Sequence, residues 1–131
     1  MSLTDKTILY VDDDADDREL LWDVMQKITP AVNITFAENG LKALELLDDS
    51  ATARPCLIVL DLNMPYLDGR QTFERLKAHQ DLQNIPVVIL TSGENPVDKT
   101  YFAKHHIPYF TKPVRLCDME SLANDLRTLC E

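Results

Sequence analysis

Residues 57–69 run Leu57-Ile58-Val59-Leu60-Asp61-Leu62-Asn63-Met64-Pro65-Tyr66-Leu67-Asp68-Gly69. Four consecutive apolar residues leave no polar face, which suits a strand buried on both sides of a parallel sheet. The run stops at Asp61, and the Met64-Pro65 and Asp68-Gly69 steps then define an extended loop followed by a helix start. Asp68, with Gln71 three residues on, has the spacing of a capping pair. A single Asp after a strand is an ordinary turn residue. Its interest here comes from what lies on either side of it in the chain.

Similar runs recur at Ile8 to Val11, Val32 to Phe36 and Val87 to Leu90, with a weaker one at Ile107 to Phe110. The run at 87–90 is again nearly continuous, so it and 57–60 are expected to be central strands. Between them lie apolar residues at helical spacing: Leu21, Val24, Met25 and Ile28, then Leu41, Leu44 and Leu47, then Leu116, Met119, Ala123, Leu126 and Cys130. Asn95 before Pro96 is a second helix start, so helices are also predicted near 69 to 79 and 96 to 105. Strand and helix therefore alternate five times. Right-handed crossovers turn that order into a doubly wound α/β fold, five parallel strands with helices on both faces, spanning 1–131 as one domain.

The composition agrees with this and excludes other classes. At 131 residues the chain can close one core without staples, and 45% hydrophobic with 27% charged residues rules out a disordered chain. The formal charge of −9 repels phosphate backbones and anionic lipid, so neither nucleic acid nor a membrane is an expected partner. The N-terminus, Met1 to Lys6, has no signal-like apolar segment behind a basic start, and no apolar run nears the ~18 residues of a membrane span. Cys56, Cys117 and Cys130 lack C-x-x-C spacing and are expected to be reduced structural thiols in a cytoplasmic protein.

Ligands of open α/β sheets bind beyond the carboxyl ends of the strands, so the residues just after each run matter most. They are Asp12 and Asp13, Asp61, Thr91 and Lys112. Three carboxylates at one sheet edge raise one another's pKa unless a cation joins them, and an all-oxygen site suits Mg²⁺. Lys112 offsets part of the same charge and is well placed for a phosphoryl oxygen. Asp14, Asp16 and Asp17 are assigned instead to the start of the first helix, where carboxylates cap free amides and favour the dipole. An EF-hand loop from Asp12 is excluded, because its sixth position is Asp17 rather than Gly and its twelfth is Asp23 rather than Glu. His105-His106 reads as a solvated helix end, and Trp22 as a core or interface side chain.

Five stretches in order carry a resemblance: Ile8-Leu9-Tyr10-Val11-Asp12-Asp13, Leu57 to Pro65, Asp68-Gly69, Ile89-Leu90-Thr91-Ser92 and Tyr109-Phe110-Thr111-Lys112-Pro113. Each is weak alone; together, at this spacing, they resemble the receiver domain of two-component response regulators over essentially the whole chain. The resemblance implies a flavodoxin-like (βα)5 fold with Asp61 as phospho-acceptor. It implies that Asp13 and the Asn63 main-chain carbonyl hold Mg²⁺ with Asp61, Asp12 often acting through water. It also implies that Thr91 and Lys112 contact the phosphoryl group and that Tyr109 is the aromatic whose rotamer follows activation.

The expected function is a signalling switch rather than an enzyme acting on a separate substrate. Phosphate would come from a histidine kinase or a histidine phosphotransfer protein. Only 19 residues follow Lys112, enough for one closing helix, so output is expected through protein contacts or onward phosphotransfer. A homodimer through the face of the fourth helix, fifth strand and fifth helix is one such contact. Two rivals remain: a phosphohydrolase with an aspartyl nucleophile, and a module that signals without phosphate. Asn63 and the short chain oppose the first, and a full set of five site residues opposes the second.

Overall fold

The structure is a computed structural model that describes residues 6–49, 54–64, 66–93 and 95–130. Five strands, β1 (Thr7–Val11), β2 (Asn33–Ala37), β3 (Leu57–Leu60), β4 (Val87–Thr91) and β5 (Tyr109–Thr111), alternate with five helices. These are α1 (Ala15–Ile28), α2 (Gly40–Asp48), α3 (Gly69–Ala78), α4 (Pro96–Lys104) and α5 (Leu116–Cys130). All strands pair in parallel in the order β2-β1-β3-β4-β5, the doubly wound arrangement expected. Chain order reverses beside β1, so a crevice opens beyond the carboxyl ends of β1 and β3.

The continuous apolar runs follow from the period of two along a strand, which sends neighbours to opposite faces. Leu9, Val11, Ile58, Leu60 and Ile89 pack with Phe73, Leu76 and Phe102 on one face. Ile8, Tyr10, Val59, Val88 and Leu90 pack with Leu21, Met25, Leu122 and Leu126 on the other. Both faces of β1, β3 and β4 are thus covered, while β2 and β5 form the edges.

Helix starts are fixed by side chains. The Asp14 carboxylate accepts from the amides of Asp16 and Asp17, Asp68 and Gln71 form a capping box, and Asn95 accepts from Val97 and Asp98 ahead of Pro96. Each cap of this kind is worth about 0.5–2 kcal/mol. The last strand begins later than expected from the apolar run at 107–110. His106 takes a left-handed conformation (φ 59°), and the Ile107 amide donates to the Phe102 carbonyl, so Ile107 closes α4 rather than opening β5. Trp22 is 43% exposed and is not a core residue.

The cysteine expectation is corrected at two of three positions. Cys56 enters β3, Cys130 ends α5, and the two are joined with Cα atoms 5.1 Å apart, inside the range of a disulfide. Seventy-four residues separate them, so only the folded sheet brings them together. Cys117 is a free, exposed thiol. A link closing so long a loop restricts the unfolded chain, and reducing it is expected to lower the unfolding free energy by about 2–4 kcal/mol. Urea melts with and without dithiothreitol check this, with Cys130→Ser as the non-reducible control. Identical midpoints would mean that the link adds no constraint.

Candidate functional site

The sheet ladder runs one residue beyond its strands at three places. The amide of Asp12 donates to the Ala37 carbonyl, that of Asp61 to Val11, and that of Lys112 to Thr91, at 3.1, 3.0 and 2.8 Å. Three polar residues are thereby held in register at the carboxyl edge, Asp12 and Asp61 immediately after fully buried strand residues. Asp61 is itself buried, as are Asp12 and Thr91.

Both buried carboxylates are held by donors. Asp12 is fully buried; its Oδ1 accepts from the Asp14 amide (2.9 Å), and its Oδ2 accepts from the Tyr10 hydroxyl (2.6 Å) and the Lys112 ammonium (2.7 Å). Asp61 Oδ1 accepts from the Thr91 hydroxyl at 2.9 Å and from the Asn63 amide at 3.3 Å. Its Oδ2 accepts from Lys112 at 3.1 Å. The Asn63 side chain also donates to the Thr91 hydroxyl oxygen, at 3.4 Å.

Lys112 is the hub of the site, with a side chain 14% exposed. Burial acts against the ammonium, but hydrogen bonds to Asp12, Asp17 and Asp61, together with the Asp61 charge, hold its pKa above the ordinary lysine value. It is a fixed cation at any ordinary pH. Carboxylate oxygens of Asp12, Asp13 and Asp61 lie within 4.8 Å of one another, Asp13 on the solvent side. Three hard oxygen donors at this separation fit a divalent cation.

The sequence-predicted residues Asp12, Asp13, Asp61, Asn63, Thr91 and Lys112 therefore meet at one sheet edge. Tyr109 stands apart at the start of β5, partly buried. It lines a cavity of about 280 Å³ with Asn63, Thr91, Ser92 and Asp98. The acceptor loop is also shaped by Gly69, because a Cβ there would overlap the Asp61 carbonyl oxygen and the Leu62 Cα. Only glycine lets the start of α3 approach so closely.

Two participants were not anticipated. Tyr10 is buried, and its hydroxyl pKa lies far above the ordinary value because of burial first and then the charge and hydrogen bond of Asp12. It stays a donor to Asp12. The period of two along β1 was the available signal, since residue 10 shares a side with residue 12. The second is Asp17, assigned from sequence to the helix start alone; its carboxylate lies 2.7 Å from Lys112 Nζ. Asp14 does the capping, which leaves the Asp17 side chain free to turn to the site.

Among the described residues no helix is long and apolar enough to cross a membrane. Residues 8–124 match the response regulator receiver domain. Response regulator Rcp1 of Synechocystis sp. is 33% identical over 94% of this chain and 87% of its own length. The two-component response regulator ARR17 of Arabidopsis thaliana is 35% identical over 88% of this chain and 80% of its own. The crystal structure of the Mn²⁺-bound form of Rcp1 superimposes with a TM-score of 0.82, covering 94% of this chain and 92% of that one. That of the phosphorylated cyanobacterial phytochrome response regulator RcpA gives 0.83 at 28% identity, over 92% and 90%. With the doubly wound sheet, the acidic edge and the half-buried lysine already in place, these likenesses show that the chain belongs to the response regulator receiver family of two-component signal transduction.

Proposed function

We propose that Asp61 is the phospho-acceptor of this receiver and that the residues around it make acceptance possible. The observation that carries this is the donor set on the two Asp61 oxygens: Thr91 and the Asn63 amide on one, Lys112 on the other. A carboxylate so oriented, beside an acidic cluster suited to a cation, is a positioned nucleophile rather than a turn residue.

The phosphodonor would be a phosphohistidine of a histidine kinase or a histidine phosphotransfer protein. An Asp61 oxygen forms the new bond to phosphorus, the phosphorus–nitrogen bond breaks, and the imidazole leaves with the electron pair. Asp12, Asp13, Asp61 and the Asn63 carbonyl would hold Mg²⁺, which would supply positive charge against which an anionic donor can approach. Lys112 and Thr91 transfer hydrogen bonds from Asp61 to the phosphoryl oxygens, so stabilisation comes from groups already in place. The Thr91 shift enlarges the space beside Tyr109, whose ring turns into the cavity and alters the exposed α4-β5-α5 surface. Water attack on the acyl phosphate resets the switch.

In this account the 1–131 chain acts as one receiver in the cytoplasm, where kinases meet ATP. Output runs through protein contacts, onward phosphotransfer or a homodimer on the α4-β5-α5 face. The −9 charge supports protein partners over nucleic acid.

Incubation with acetyl phosphate and Mg²⁺ is expected to add the mass of one phosphoryl group, and Asp61→Asn to abolish it, because an amide is a poor nucleophile. An unchanged adduct in that variant would refute the assignment. Asp13→Ala is expected to weaken Mg²⁺ binding by about tenfold or more, measured by calorimetry, whereas Asp14→Ala, which removes a cap, leaves it near wild type; equal affinities would count against the ligand set. Lys112→Ala is expected to retain most Mg²⁺ affinity yet lose the NMR shift changes around Tyr109 that beryllofluoride, a phosphoryl mimic, induces in the wild type. Full shift changes in that variant would remove Lys112 from the switch.

A further inference from the structure

The Lys112 ammonium has three protons and three carboxylate neighbours. Asp12 Oδ2 and Asp17 Oδ2 each lie 2.7 Å from Nζ, and Asp61 Oδ2 lies 3.1 Å away. Asp12 belongs to the buried edge of β1, and Asp61 is the proposed acceptor. Asp17 is neither. It sits on the first turn of α1, outside the cluster of Asp12, Asp13 and Asp61, and 95 residues from the lysine it touches.

We propose that Asp17 is a positioning residue for phosphoryl acceptance, holding the Lys112 ammonium on the α1 side of the site so that the acceptor oxygen stays available. The proposal rests on Asp61 being the acceptor. A lone pair engaged by an ammonium is a weaker nucleophile, and the two shortest Lys112 contacts draw the charge away from Asp61. When Asp61 attacks phosphorus, Lys112 must release Oδ2 and donate to a phosphoryl oxygen. With Asp12 and Asp17 retaining two of its protons, only the third changes partner, so the ammonium pivots in place. Without the Asp17 carboxylate it settles onto the remaining acids, the nucleophile among them.

A simple field effect predicts the opposite sign. Asp17 adds negative charge near an incoming anion, so neutralising it would then speed phosphorylation. Asp16 lies on the same turn, is exposed, and caps nothing through its side chain among the described contacts, so Asp16→Asn makes the same charge change away from Lys112.

The test is the rate of phosphorylation by acetyl phosphate at saturating Mg²⁺, followed by mass spectrometry, for wild type, Asp17→Asn, Asp16→Asn and Asp17→Glu. Asp17→Asn is expected to be slower than wild type by roughly three- to tenfold, the size of a charge-assisted hydrogen bond discounted for partial exposure. Asp16→Asn is expected to be no slower than wild type, and Asp17→Glu to recover most of the rate by restoring a carboxylate. Equal rates in the two asparagine variants, or a faster Asp17→Asn, would overturn the positioning role. So would an Asp17→Glu protein as slow as Asp17→Asn, since position 17 would then matter for shape and not for its charge. A wild-type protein that takes no phosphate would fail at the acceptor itself, and both proposals would fall together.

Discussion

One ammonium among three carboxylates holds this molecule's working edge together. Asp12 is fully buried, and a buried carboxylate without partners would cost several kcal/mol or shift to its neutral form. Lys112, the Tyr10 hydroxyl and the Asp14 amide meet that cost. The same lysine reaches Asp61 and Asp17, so the ends of β1, β3 and β5 and the first turn of α1 converge on a single charge. Stability and chemistry therefore share a bond. A ligand that takes the lysine away from any of the three acids changes what holds the edge.

The rest of the fold makes that edge rigid on one side and adjustable on the other. Backbone hydrogen bonds continue the sheet through Asp12 and Asp61, and both faces of the central strands are packed, so these two carboxylates are held in place. At the opposite end of the sheet the Cys56–Cys130 link ties β3 to the last turn of α5. Looser ground lies beyond β4 and β5, where the cavity beside Thr91 and Tyr109 leaves room for a side chain to move. A proposed change at Asp61 would thus be felt first along α4 and β5, which is where an exposed surface can report it.

Much of this was legible in the chain. The unbroken run Leu57 to Leu60 suited a strand covered on both faces, and residues following such strands in a parallel sheet meet at one edge. Asp12, Asp13, Asp61, Thr91 and Lys112 could be picked out by that rule, and they do meet. Asp17 could not, because an acid in the first turn of a helix is already explained by local preference and its lysine lies 95 residues away. The late start of β5 was hidden for a similar reason: Ile107 is apolar and β-branched, yet it serves the end of α4. The cysteine pair was invisible because its geometry exists only after β3 and α5 have been brought side by side.

The central claim is that the carboxylate at position 61, and no other in this acidic edge, carries the phosphate. Borohydride reduces an acyl phosphate, and the aspartate that bore it becomes homoserine, so reduction of the phosphorylated protein followed by peptide sequencing reads the acceptor directly. Conversion confined to Asp61 is the predicted result. Homoserine at Asp12, Asp13 or Asp17 instead, or none at any position in a protein that has gained phosphate, would contradict the account.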